Sequence, residues 1–179
     1  PNACNRCHRD KSPQWAEETL VKWYGPGRPA HYGAVLAAAR RGEKEAGPGL
    51  IRLAGDPLYP VIVRATALDL LGGYPGEDTG NAIESAMNDP EALIRHTAVS
   101  RSDSVNPDRR RKLLAGLIYD PVTAVRIQAA NQIAAISDPK MDSDQERVFQ
   151  TALKEYQTAM TYSADFAFGR FNLGNLYAH

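Results

Sequence analysis

The chain has 179 residues, enough for one large domain or two small ones with a proper core. Lysine plus arginine equal aspartate plus glutamate at 21 each, so net charge gives no reason to expect nucleic acid or an anionic membrane as partner. No apolar run approaches the roughly 18 residues that a membrane span needs.

The first stretch with chemistry is Cys4-Asn5-Arg6-Cys7-His8, which uses both cysteines and one of the four histidines. A C-x-x-C-H run is the pattern of covalent c-type haem attachment. Two thiols three positions apart reach two vinyl groups of one porphyrin, and the adjoining imidazole falls under the iron as an axial ligand. Free buried thiols, a redox pair and half of a zinc site compete with this reading. A thioredoxin-like pair accompanies a βαβ pattern, and no strand pattern lies nearby. A structural zinc takes four ligands, mostly Cys and His, and only the distant His31 is on offer beside Cys4, Cys7 and His8.

Ser12-Pro13 then marks a helix start, with Ser as N-cap and Pro at the first helical position. Trp15, Ala16, Leu20 and Trp23 are spaced to line one face of that helix. Trp15 is placed either in the core or on a porphyrin edge. Gly25-Pro26-Gly27-Arg28-Pro29 ends the helix, and a second runs from about Ala30 to Arg41, closed by Gly42. His31 opens this second helix. A low-spin haem iron takes imidazole or Met as its sixth ligand, and Met87, Met141 and Met160 all lie far along the chain, so His31 is the distal candidate. It would serve this haem or another one.

A partner helix over about Glu43 to Ala54 is interrupted by Gly47-Pro48-Gly49 and is expected to be short or bent. From residue 56 the sequence repeats. Asp56-Pro57 recurs as Asp89-Pro90 and Asp120-Pro121, while Arg64, Arg95 and Arg126 stand 31 residues apart, as do Ala67, Ala98 and Ala129. Periods of this size mean a solenoid of helix pairs. The Asp-Pro turns the chain and offers a carboxylate to cap the next helix. The Arg pairs with an Asp of the same or an adjacent repeat, and the Ala lets helices approach. The first copy differs by the insertion of Tyr59-Pro60. These are the features of HEAT-type repeats. His96, beside a ladder arginine, reads as a packing or surface residue. Arg109-Arg110-Arg111-Lys112, after Asn106-Pro107-Asp108, reads as a solvated helix face.

After Ser137-Asp138-Pro139-Lys140 the pattern changes to one long amphipathic helix over Asp142 to Tyr162, broken at Ser163-Ala164-Asp165. The last segment, Asn172-Leu173-Gly174-Asn175-Leu176-Tyr177, resembles the first helix of a tetratricopeptide repeat.

Cys4-Asn5-Arg6-Cys7-His8-Arg9-Asp10-Lys11, Trp15-Ala16, Arg64-Ala65-Thr66-Ala67-Leu68 and Asn172-Leu173-Gly174 together resemble exported bacterial multihaem c-type cytochromes. In these a cytochrome c554-like haem region precedes HEAT-like and then tetratricopeptide repeats. The resemblance implies Cys4 and Cys7 as thioether anchors, His8 as proximal ligand and His31 as a ligand to one of the haems. It implies an all-α fold: a right-handed α-solenoid of HEAT-like helix pairs running into a tetratricopeptide-type pair, with an N-terminal haem-attachment segment. Residues 1–42 would carry the haem segment, 43–140 the HEAT-like repeats, and 141–179 the long helix and the tetratricopeptide start. The chain lacks an initiating Met and carries one haem motif, so it is expected to be a fragment beginning at the last such motif. Its parent would carry an export signal upstream and work in the periplasm or elsewhere outside the cytoplasm.

Two functions follow from this reading. One is electron transfer through haem c, with a redox protein or a neighbouring haem domain as partner. The other is a scaffold that grips a protein or peptide on the repeat surface, the haem site being structural or empty. A haem enzyme is the weakest reading, because Asp10, Lys11 and His31 form no constellation specific to catalysis.

Overall fold

The structure, a computed structural model, describes residues 3–27, 31–136 and 140–178. Among these the chain is all-α, with eleven α-helices and one 3₁₀ turn. It forms two compact units, residues 1–34 and 35–179. Pro1-Asn2, Arg28-Pro29 at the end of the expected break, Ala30 at the expected start of the second helix, Ser137-Asp138-Pro139 and His179 lie outside the described residues.

The first unit holds α1 (Ala3–Cys7) and α2 (Pro13–Tyr24). The start of α2 follows from two residues. Ser12 is extended and its hydroxyl accepts the Trp15 N–H at 3.0 Å, while Pro13 occupies the first turn, where its missing donor costs nothing. Gly25, at φ 84°, closes the helix by donating its N–H to Val21 O. Of the expected apolar face only Ala16 is buried. Leu20 is 36% and Trp23 69% exposed, so that stripe does not extend along the helix.

In sequence, α3 (Tyr32–Arg40) spans the division between the units. The second unit continues with α4 (Ala46–Gly55), α5 (Val61–Leu71), α6 (Glu77–Ala86), α7 (Ala92–Ser100), α8 (Pro107–Leu117), α9 (Thr123–Ala134), α10 (Ser143–Tyr162) and α11 (Ala167–Tyr177). Gly47-Pro48-Gly49 does not interrupt α4. The helix starts at Ala46, so the proline falls in the first turn, where no N–H is bonded. Gly49 allows close approach: a Cβ there would stand 2.8 Å from Val35 Cγ1.

Packing is between near neighbours in sequence. Helix α4 lies on α5 and α6, α5 on α7, α7 on α9, α8 on α9, α9 on α10 and α10 on α11. The three helices that carry the repeated arginine are therefore side by side, and Ala67, Ala98 and Ala129 are fully buried among them. Leu114, Ile118, Val125, Ile133 and Phe149 form a continuous apolar cluster across α8, α9 and α10.

Each repeated aspartate bonds its own turn. Oδ1 of Asp56, Asp89 and Asp120 accepts the N–H of Leu58, Glu91 and Val122 at 2.8–2.9 Å. This corrects the expectation that the carboxylate caps the following helix, since the N-terminal side-chain caps of α5, α7 and α9 are absent. In Asp89 and Asp120 the carboxylate also takes an arginine, through Oδ2 in Asp89 and through both oxygens in Asp120. Arg64 pairs with Asp89, and Arg95 grips Asp120 with two bonds of 2.6 and 3.0 Å. The pairing therefore runs to the next repeat. Arg126 continues the series onto Glu155 of α10 at 3.2 Å. Arg95 and Arg126 also donate to the two carbonyls of their own Asp-Pro turns. Arg64 donates instead to Ala54 O, because the Tyr59-Pro60 insertion changes its turn.

The three arginines of the basic run on α8 are paired; Arg109 and Lys112 are exposed, as a solvated face would have them, whereas Arg110 and Arg111 are half-buried. Arg109 meets Glu84, Arg110 meets Asp103 and Gln132, and Arg111 meets Asp108. Asp142 opens α10 with a capping box completed by Gln145. Phe149, Ala152 and Tyr156 make up its buried stripe.

Candidate haem-attachment site

Cys4 and Cys7 both lie on the five-residue α1, three positions apart and so on neighbouring parts of one face. Neither thiol is in a disulfide; Cys4 is half-buried and Cys7 exposed. His8 directly continues this turn, its N–H donating to Cys4 O at 2.9 Å. The two thiols and the exposed imidazole are thus carried by one turn of backbone.

The segment after His8 is folded back on α1. Lys11 N–H donates to His8 O at 3.2 Å, and the Asn5 side-chain amide donates to Lys11 O at 2.7 Å. Asn5, one of the two variable positions of the motif, therefore fastens the loop that leads to α2. Trp15 completes the arrangement. Its ring centroid lies 5.0 Å from that of His8, with the planes tilted by 56°. Trp15 is half-buried, so it is neither free nor plain core.

The donor set discriminates between ligands. A bare metal ion needs several side chains converging on one point, and among the described residues no three His, Cys, Asp or Glu side chains do so. Two unbonded thiols and an adjoining imidazole do fit a porphyrin that brings its own four nitrogens to the iron.

His31 has a local duty. Its Nδ1 accepts the Gly33 N–H at 3.0 Å, so the imidazole caps the start of α3, and the ring packs on Tyr32 with centroids 4.1 Å apart and planes tilted by 33°. With Nδ1 as acceptor, the proton of the neutral ring sits on Nε2. Binding iron through Nε2 requires the proton to move to Nδ1 and the Gly33 bond to be released. Histidine is not among the favoured capping residues, so the sequence offered no signal for this role.

No family model matches the chain, and no curated protein matches it.

A second feature lies wholly within residues 35–179. A groove of roughly 1320 Å³ runs between α4, the end of α5 and the start of α6. Ile51 and Leu70 supply apolar lining, and Arg40, Lys44 and Asp78 supply charge. Arg101, also in its wall, is tied to Asp69 at 2.6 Å. The Tyr74 hydroxyl bolts the groove to the end of α3, shared between Ala39 O at 3.2 Å and Glu43 O at 3.0 Å. Sequence reading missed Tyr74, because its partners are backbone carbonyls distant in sequence. Elsewhere, burial pushes the His96 imidazole below its ordinary value, as for a side chain half-enclosed within the helix row.

Proposed function

We propose that this chain carries one covalently attached haem c and serves in electron transfer, with the helical repeats presenting the haem to a redox protein or a neighbouring haem domain. The observation that carries this reading is the Cys4-x-x-Cys7-His8 turn, with both thiols unbonded and the imidazole exposed beside them. Cys4 and Cys7 would anchor the porphyrin and His8 would hold the iron, with His31 as sixth ligand after its change of tautomer. The haem would supply a ferric–ferrous couple. Two contacts support this placement: Asn5 fastens the loop that follows the imidazole, and Trp15 lies against the ring.

The repeats are read as a right-handed α-solenoid of HEAT-like pairs, with α10 and α11 as a tetratricopeptide-type pair. The equivalent rungs from Arg64 and Arg95 and the next-neighbour packing support that reading. Work outside the cytoplasm follows from the requirement for haem-attachment machinery, and an electron carrier or scaffold is favoured over a catalyst. The test is the intact mass of protein exported through that machinery. The wild type should gain the mass of one haem, and Cys4→Ala/Cys7→Ala should gain none. A wild type of unmodified mass sinks the proposal.

The groove beside Tyr74 favours a second reading, a scaffold that grips a protein or peptide on the repeat surface. It differs in one observable: partner capture would survive in the haem-free double cysteine variant.

A further inference from the structure

We infer that Trp15 is the positioning residue of the His8 imidazole, holding the orientation of the ring and keeping water from the face it covers. The inference rests on His8 being the haem ligand. Three observations carry it. The indole and imidazole centroids are 5.0 Å apart at a 56° tilt, within the range of a specific ring pair. The backbone of Trp15 is anchored on both sides, its N–H given to Ser12 Oγ at 3.0 Å and its carbonyl accepting from Thr19 Oγ1 at 2.8 Å. The path from His8 to Ser12 is closed as well, by the bonds from Lys11 N–H to His8 O and from Asn5 to Lys11 O.

The contact is selective. Trp23 and Tyr24, on the same helix, are 69% and 78% exposed, whereas Trp15 is half-buried. Groups behind a ligating histidine set its ring orientation, and the apolar shell around it controls solvent access and hence the potential of the metal. Trp15 does both from one side. Water admitted to the imidazole would favour the more highly charged ferric state, so loss of the indole should lower the midpoint potential.

Two samples test this. In reduced chain made without haem-attachment machinery, the His8 ring protons should be displaced by the Trp15 ring current and return to random-coil positions in Trp15→Leu. Random-coil positions in the wild type would overturn the contact. In exported, haem-loaded protein, Trp15→Ala should lower the midpoint potential and displace the low-spin EPR signal at unchanged haem content. Trp15→Phe, which keeps an aromatic face, should recover most of both. Potential and EPR signal unmoved in Trp15→Ala would overturn the positioning role while leaving the haem reading intact. A wild type without haem would overturn both, and the haem-free sample shows independently whether the ring pair exists.

Discussion

Gly33 shows how much one missing atom decides at the start of α3. A Cβ there would stand 2.8 Å from His31 Nδ1, so only glycine lets the imidazole fold over the start of α3. His31→Ala should cost about 1 kcal/mol by loss of the cap, measured by chemical denaturation of the haem-free chain. An unchanged midpoint would mean that the imidazole caps nothing. His96 makes a prediction in pH. Burial lowers its folded pKa, so as pH falls below the ordinary value of about 6.5 the unfolded chain takes up the proton first. Stability is therefore fully present above that pH and is lost as pH falls through the folded pKa. His96→Asn should flatten the melting temperature across this window, and an identical slope in both proteins would remove His96 as the cause. At this scale the sequence was uneven. The Cys4, Cys7 and His8 spacing is legible because it is itself the chemistry. Asn5 and Trp15 act only once the loop between His8 and Ser12 has closed, and no local pattern announces that closure.

The repeated helices are held by the arginine rungs and the apolar cluster beneath them. Arg95 is 13% and Asp120 4% exposed at the side chain, so breaking the pair strands a buried charge. Arg95→Met should destabilise the chain by about 3 kcal/mol in urea unfolding. A loss below about 1 kcal/mol would place the rung among surface pairs. Burial alone would raise the Asp120 carboxyl, but the Arg95 and Val122 hydrogen bonds and the charges of Arg95 and Arg126 outweigh it, and its pKa falls. The rung therefore stabilises fully above the unfolded carboxyl value of about 3.9 and fades as pH falls through the lower folded value. Asp120→Asn should weaken the acid limb of the stability profile. Leu114, fully buried in the α8–α10 cluster, gives a control of different origin: Leu114→Ala should cost about 3 kcal/mol at every pH. The Asp-Pro and arginine periods were legible because each copy repeats the same local requirements. Their partners were not. Each aspartate serves its own turn, Asp89 and Asp120 also take the preceding repeat's arginine, and Arg126 ends on Glu155 in a helix that breaks the pattern.

On the scale of the molecule, the all-helical character was legible from apolar spacing and Ser, Asp and Gly punctuation, as at Ser12-Pro13 and the Asp142 capping box. The division at residue 34 was not, because α3 reads as one uninterrupted helix across it. The function proposed here depends on whether the turn in the first unit takes up haem. The deciding measurement is a reduced pyridine haemochrome spectrum of protein made with export and haem-attachment machinery. The account predicts a c-type α-band at one haem per chain, lost in Cys4→Ala/Cys7→Ala. A spectrum without that band, from protein exported and folded, would contradict it and leave the repeats as the function.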